Sequence, residues 1–187
     1  MSNSSISAMS KKALLLSSLQ LFYKDKNSAS IVKEVIEGKT VLSLRVLDWL
    51  VTNYSRKNTV NYTYEGVQIY DIHSHYRNQL KAYSKKLFDP FCRRDRIKIP
   101  EISLETTIGQ LNFFRWAIKT GVLPYACGNI RQIEEDMAES LQLRARKVVG
   151  KDGKDGKTEK TFPKRQRVVK NRPGFIRNFN PICISFN

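Results

Sequence analysis

The chain has 187 residues, 41% apolar and 10% aromatic, enough to fill the core of one domain or of one domain with an appendage, and carries a formal net charge of +16. The longest apolar run near the start, Ala13 to Leu16, is far too short to span a bilayer or act as a signal segment, so no membrane span is expected. Cys92, Cys127 and Cys183 are odd in number and far apart, with no CxxC, which favours reduced thiols in a cytosolic or nuclear setting over a disulfide framework.

Residues 1–10, MSNSSISAMS, are Ser-rich and read as a flexible terminus. Leu15, Leu19 and Phe22 form one stripe of a helix over Lys11–Tyr23, broken by Lys24 to Asn27. Ser28 or Ser30 then caps a short helix running to Glu37, with Ile31 and Val35 facing inward and Gly38 as a left-handed C-cap. Thr40–Lys57 reads as the most apolar helix, with Leu44, Leu47, Leu50, Val51 and Tyr54 in a wide stripe beside Val46 and Trp49, and it is expected near the centre of the bundle. Arg45, Asp48 and Thr52 fall on its exposed or half-exposed side. The alternation of Val60, Tyr62 and Tyr64 suits either a short strand or an extended connector.

The stretch from Ile69 to Ile99 joins a helical face to a dense folded cluster of charge. Ile69, Ile72, Tyr76, Leu80, Tyr83 and Leu87 recur at spacings of three and four, while His73, Arg77, Lys81 and Lys85 make an i, i+4 ridge on another side. Asp89-Pro90 stops this helix, and Cys92 to Arg96 follow as a basic loop. Ile97 to Ile102 is expected to be extended around Pro100. Thr106 or Thr107 caps a helix buried through Ile108, Leu111, Phe114 and Ile118, ended by Gly121, with Pro124 preventing its return. Asn129 and Gln132 form a capping box for a last helix whose inward stripe is Ile130, Ile133, Met137 and Leu141, closed by Gly150.

From Lys151 the composition changes. KDGKDGK contains no apolar residue and reads as a linker. Basic clusters follow at Lys164, Arg165 and Arg167 and at Lys170 and Arg172, and then an apolar terminus containing Phe175, Phe179, Ile182, Ile184 and Phe186. A purely electrostatic tail has no need of those five residues, so they read as an anchor that packs on a partner or on the body. Residues 144–187 hold 13 Lys/Arg against 3 Asp/Glu, and residues 76–98 hold 8 against 2, so these two segments contain the whole charge excess. The cations expected to meet phosphate or acidic protein are therefore Arg77, Lys81, Lys85, Lys86, Arg93, Arg94 and Arg96, together with those of the tail.

No reaction chemistry emerges. His73 and His75, two apart on a helix, point in different directions and do not share a metal. Glu134, Glu135 and Asp136 suit the positive end of a helix dipole. Cys92 has basic neighbours but no positioned base, and there is no Gly-rich phosphate loop, GxSxG or HExxH. The chain is expected to be non-enzymatic and to need no cofactor.

Three blocks, LSLRVLDWLVTNYSRKN (42–58), YRNQLKAYSKKLFDPFCRRDRI (76–97) and ETTIGQLNFFRWAIKTGVL (105–123), resemble a conserved protein of the nucleocytoplasmic large DNA viruses, the group of chloroviruses, iridoviruses and mimiviruses. The resemblance implies a viral lineage, with no catalytic residue to carry over. In such a lineage a small basic protein is expected to be a virion component or a nucleic-acid-associated factor. The combined expectation is a mainly α, compact multi-helix domain over residues 11–149 with an extended basic arm over 150–187. Its first expected role is that of a minor capsid-associated protein linking neighbouring capsid proteins in the virion, made in the host cytoplasm or nucleus. The alternative is a DNA- or RNA-binding protein of viral transcription or genome packaging.

Overall fold

A computed structural model describes residues 10–100 and 102–149 of the chain. Ser10 opens helix α1 (Lys11–Phe22) by accepting from the Ala13 amide, and Leu15 and Leu19 bury its inward stripe. Helix α2 (Lys26–Ile36) begins earlier than the serines suggested. Asp25 is its cap, accepting from the Ser28 amide at 2.9 Å, and Ser28 is buried inside the first turn. The presumed break is thus a tight corner, because a carboxylate cap ahead of Ser28 satisfies the helix amides sooner. Gly38, at φ +71°, takes the left-handed cap, its amide donating to Val35 while the Lys39 amide donates to Glu34.

The apolar helix starts at Leu44 and not at Thr40, because Ser43 caps it by accepting from the Val46 amide. It runs through α3 (Leu44–Trp49), a π-helical turn (Leu50–Tyr54) and α4 (Ser55–Asn58), and ends at Thr59 in the left-handed region. Leu47, Leu50 and Val51 are fully buried, Arg45 is exposed, and Asp48 and Thr52 are half-buried. Tyr62–Tyr64 is a strand, β1, paired antiparallel with β2 (Val67–Ile69). Glu65 and Gly66 form the two-residue turn with φ of +49° and +76°, the double positive φ that a tight hairpin turn requires. Ile69 therefore belongs to this hairpin and not to the following helix.

Helix α5 (Ile72–Leu87) is capped by Asp71, which accepts from the Ser74 amide. It buries Ile72 and Tyr76 and kinks at Ser84, whose φ of 57° and ψ of 169° leave helical space. The expected ridge is broken there, one residue before Lys85. Strand β3 (Arg96–Ile99) makes the first part of the expected stretch extended, but Ile102 lies in a turn, its amide donating to the Ile99 carbonyl, that leads into an antiparallel partner the sequence did not announce, β4 (Leu104–Thr107). Thr107 caps α6 (Ile108–Lys119) by accepting from the Gln110 amide.

Helix α6 shares the centre of the core with α3 and the π turn. Leu111, Phe113, Phe114 and Ala117 are fully buried, and Phe88, Phe113, Trp116 and Tyr76 form one aromatic cluster with ring centroids 5.5–6.1 Å apart. Tyr23, at the end of α1, donates its hydroxyl to the Leu111 carbonyl at 2.7 Å. Gly121 ends α6 at φ +68°. Pro124 does not keep the chain from helix: it lies in the first turn of α7 (Val122–Gly128), where no amide is needed for a helical bond.

Asn129 accepts the first bond of α8 (Ile130–Val149) at its carbonyl, from the Ile133 amide, but its side chain does not cap that helix. Its side-chain amide donates back to the Tyr125 carbonyl, and Gln132 accepts from the Tyr54 hydroxyl instead of closing a box. Ile133 is buried on α8, Ile130 and Met137 are half-buried, and Leu141 is exposed, because the helix runs past the body it packs on. The described residues are thus mainly helical, with two small hairpins, and none of their helices is long and apolar enough to cross a membrane.

Candidate functional site

The basic segment is held from below by two buried amides of α6. Gln110 donates to the Pro90 carbonyl at 2.8 Å and accepts from the Thr106 hydroxyl at 2.9 Å. Asn112 donates to the Leu87 carbonyl at 2.9 Å and accepts from Arg115. The Asp89 amide donates to Gly109. A side chain on Gly109 would come within 3.3 Å of the Lys86 carbonyl and the Phe88 amide, so the chain lies flush against this helix. The bonds to the Leu87 and Pro90 carbonyls and from the Asp89 amide fix the backbone between Leu87 and Pro90, leaving the neighbouring long side chains to project.

Those side chains divide between two cavities. Lys85 and Arg93 line a recess of about 220 Å³ with Asp48, Thr52, Tyr76, Phe88 and Asp89. Arg93 lies 3.4 Å from the Asp89 carboxylate and covers the Phe91 ring at 4.3 Å, and Asp89 also accepts from the Phe91 amide. Burial raises the Asp48 carboxyl above the usual carboxylate range, opposed by the nearby Arg93 charge. Burial, reinforced by Asp48 and Asp89, pushes the Tyr76 hydroxyl up to about 12. This recess is a largely self-compensated cluster.

The second cavity, about 380 Å³, is lined by Lys12, Ser84, Lys86, Leu87, Arg94, Asp95, Thr107, Ile108 and Gly109. Its one carboxylate, Asp95, is paired with Lys12 at 3.1 Å in an exposed contact. Lys86 and Arg94 are exposed and form no ion pair among the described residues. The kink at Ser84 and the loop after Pro90 bring these two cations together although they are eight residues apart.

Of the other sequence-expected cations, Arg77 and Lys81 are exposed on α5, also without an ion pair among the described residues. Arg96 is bridged to Glu105 across the β3–β4 hairpin at 3.3 Å. Lys164, Arg165, Arg167, Lys170 and Arg172, the anchor residues Phe175, Phe179, Ile182, Ile184 and Phe186, and the linker before them lie outside the described residues. Sequence reasoning missed Lys11 and Lys12. Lys11 donates to the Ala82 carbonyl at 2.7 Å and lies over the Tyr83 ring, which docks the start of α1 on the end of α5. A Lys-Lys pair opening an apolar helix was the available signal.

The polar groups considered for chemistry have structural partners. His73 places Nδ1 3.1 Å from the Val51 carbonyl in the π turn, so that nitrogen carries a proton. Asp136 accepts from the Trp49 indole and from Lys57, each at 2.7 Å, tying α8 to the central helix. Cys92 is a half-buried free thiol, and Cys127 is half-buried as well. Among the described residues, no three His, Cys, Asp or Glu side chains are grouped to hold a metal ion.

Compared with known proteins, the chain is 39% identical over 139 residues to "Uncharacterized protein L507" of Acanthamoeba polyphaga mimivirus, covering 68% of this chain and 54% of that protein. The chain thus spans about half the length of this relative. No solved structure gives a significant match. A family model described as "Family of unknown function (DUF7197)" matches residues 3–173, nearly the whole chain including the folded body and the cationic cavity. With that coverage and a mimivirus relative, the chain belongs to this family, as a viral protein related to one of a large DNA virus.

Proposed function

We propose that this protein binds nucleic acid without catalysing a reaction, holding phosphates on the exposed cations around the end of α5. The observation that supports the reading is the uneven pairing of the basic segment. Arg93 and Arg96 already have carboxylate partners, whereas Lys86 and Arg94 converge with Lys12 on an open cavity and Arg77 and Lys81 stand free of ion pairs on the adjoining helix among the described residues. A cation with a carboxylate neighbour gains less from a phosphate; an exposed unpaired one releases counter-ions from the nucleic acid and adds to affinity.

Four such contacts, Arg77, Lys81, Lys86 and Arg94, correspond to a slope of log affinity against log salt of roughly −3 to −4. Fluorescence anisotropy with labelled oligonucleotides over a salt series measures it. A slope near zero, or unchanged affinity after replacing all four by Ala, sinks the proposal.

A second reading rests on the terminal segment of the sequence. Basic clusters followed by five apolar residues suit a strap between capsid proteins of the virion, with Lys164, Arg165, Arg167, Lys170 and Arg172 on acidic surfaces and Phe175 to Phe186 as the anchor. Removal of residues 175–187 is then expected to abolish incorporation into particles.

A further inference from the structure

We infer that the cavity between the start of α1, the end of α5 and the start of α6 seats one unpaired nucleotide, so that the protein prefers single strands to duplex. This inference rests on the nucleic-acid reading and names the form of ligand its cationic site takes. The cavity has two kinds of wall. Leu87 and Ile108, the latter only 5% exposed, present apolar surface, while Lys12, Lys86 and Arg94 supply positive charge. Asp95, the one carboxylate in the lining, is occupied by Lys12. The two hydroxyls of the lining each accept from a backbone amide, Thr107 from Gln110 and Ser84 from Lys86, so each has its O–H to offer a ligand.

The volume, about 380 Å³, falls within the range of roughly 300–1,000 Å³ typical of sites for small organic ligands. An amphiphilic anion matches this lining: a flat, weakly polar base against Leu87 and Ile108, its phosphate between Lys86 and Arg94, the lining cations without a carboxylate partner among the described residues. A duplex offers phosphates on a convex rail and keeps its base faces stacked, so it engages the cations without entering the recess. A single strand can turn one base out and present both parts together. The surrounding geometry keeps the recess formed without a ligand, because the Leu87 and Pro90 carbonyls are tied to the buried Asn112 and Gln110.

The test compares a single-stranded oligonucleotide with the same sequence as a blunt duplex, by anisotropy at fixed salt, using the full chain. The single strand is expected to bind about tenfold more tightly, the effect of burying roughly 50–60 Å² of apolar base surface. Lys86→Ala with Arg94→Ala is expected to remove that preference. Arg77→Ala with Lys81→Ala is expected to weaken both forms alike. Circular dichroism establishes that each variant is folded. As a second measurement, millimolar adenosine monophosphate is expected to shift the nitrogen-15 amide resonances of Lys86, Leu87, Ile108 and Gly109 in the unaltered protein. Equal affinity for single strand and duplex, with the salt slope retained, overturns the seated nucleotide and leaves nucleic-acid binding standing. Absence of binding to either form overturns both.

Discussion

At the scale of single residues, the polar groups that matter most lie inside the core. Gln110 and Asn112 occupy buried positions on a helix otherwise filled with apolar and aromatic side chains, and each satisfies a backbone carbonyl of the basic segment. Asp48 is the opposite case, a half-buried carboxylate with charged neighbours but, among the described residues, no hydrogen bond to its oxygens that would offset burial. Its carboxyl is raised above the ordinary 3.8, so folding favours the protonated acid. That contribution is intact below the unfolded-state value and is lost as the pH rises through the folded one. Asp48→Asn is therefore expected to be more stable than the parent at pH 7, with the difference narrowing as pH falls through the carboxylate range. Urea unfolding at pH 7 and about pH 4 measures this; a pH-independent difference would contradict it. Gln110 and Asn112 were visible as polar interruptions of an apolar run, but their partners, 20 and 25 residues away, were not.

At the scale of elements, close approaches determine what the local signals leave open. Gly121 combines a φ of +68° with the Tyr64 ring packed against it, and an added Cβ would lie 2.3 Å from Tyr64 Cγ. Gly121→Ala is expected to destabilise by about 2–4 kcal/mol, from the left-handed backbone and the overlap together. Thermal unfolding reads the loss, and an unchanged melting temperature would show that the hairpin does not bear on this turn. The helical stripes of α1, α5 and α6 were legible, because a period of 3.6 residues records which side is buried. The ends of elements were less so. Ser28 and Asp25 compete to cap α2, the Asn129 side chain turns back to α7 instead of capping α8, and Ile69 joins a strand although its spacing fits the next helix. In each case two local arrangements are close in free energy and a neighbouring element selects one.

At the scale of the whole molecule, the described body is organised about two buried helical segments, α6 and α3 with its π turn, and the charge is arranged around it. The buried core extends from Leu15 to Ile133. Truncation after residue 149 is therefore expected to leave cooperative unfolding of the body intact, while loss of residues 175–187 removes the capsid-linking role of the second reading. Denaturant melts of the two truncated chains, with particle incorporation scored in parallel, measure both; loss of cooperativity on truncation at residue 149 would show that the body needs the arm. What the sequence determined by itself was the mainly helical character, the positions of the apolar stripes, and the concentration of excess cations in residues 76–98 and 144–187. These follow from residue type and spacing alone. Only the tertiary structure decided that Lys85 and Arg93 face the Asp48–Asp89 recess while their neighbours Lys86 and Arg94 meet Lys12 at another cavity. A charge run specifies how much positive charge is present, but the backbone kink at Ser84 and the hydrogen bonds to α6 specify where each side chain points and which carboxylates it meets.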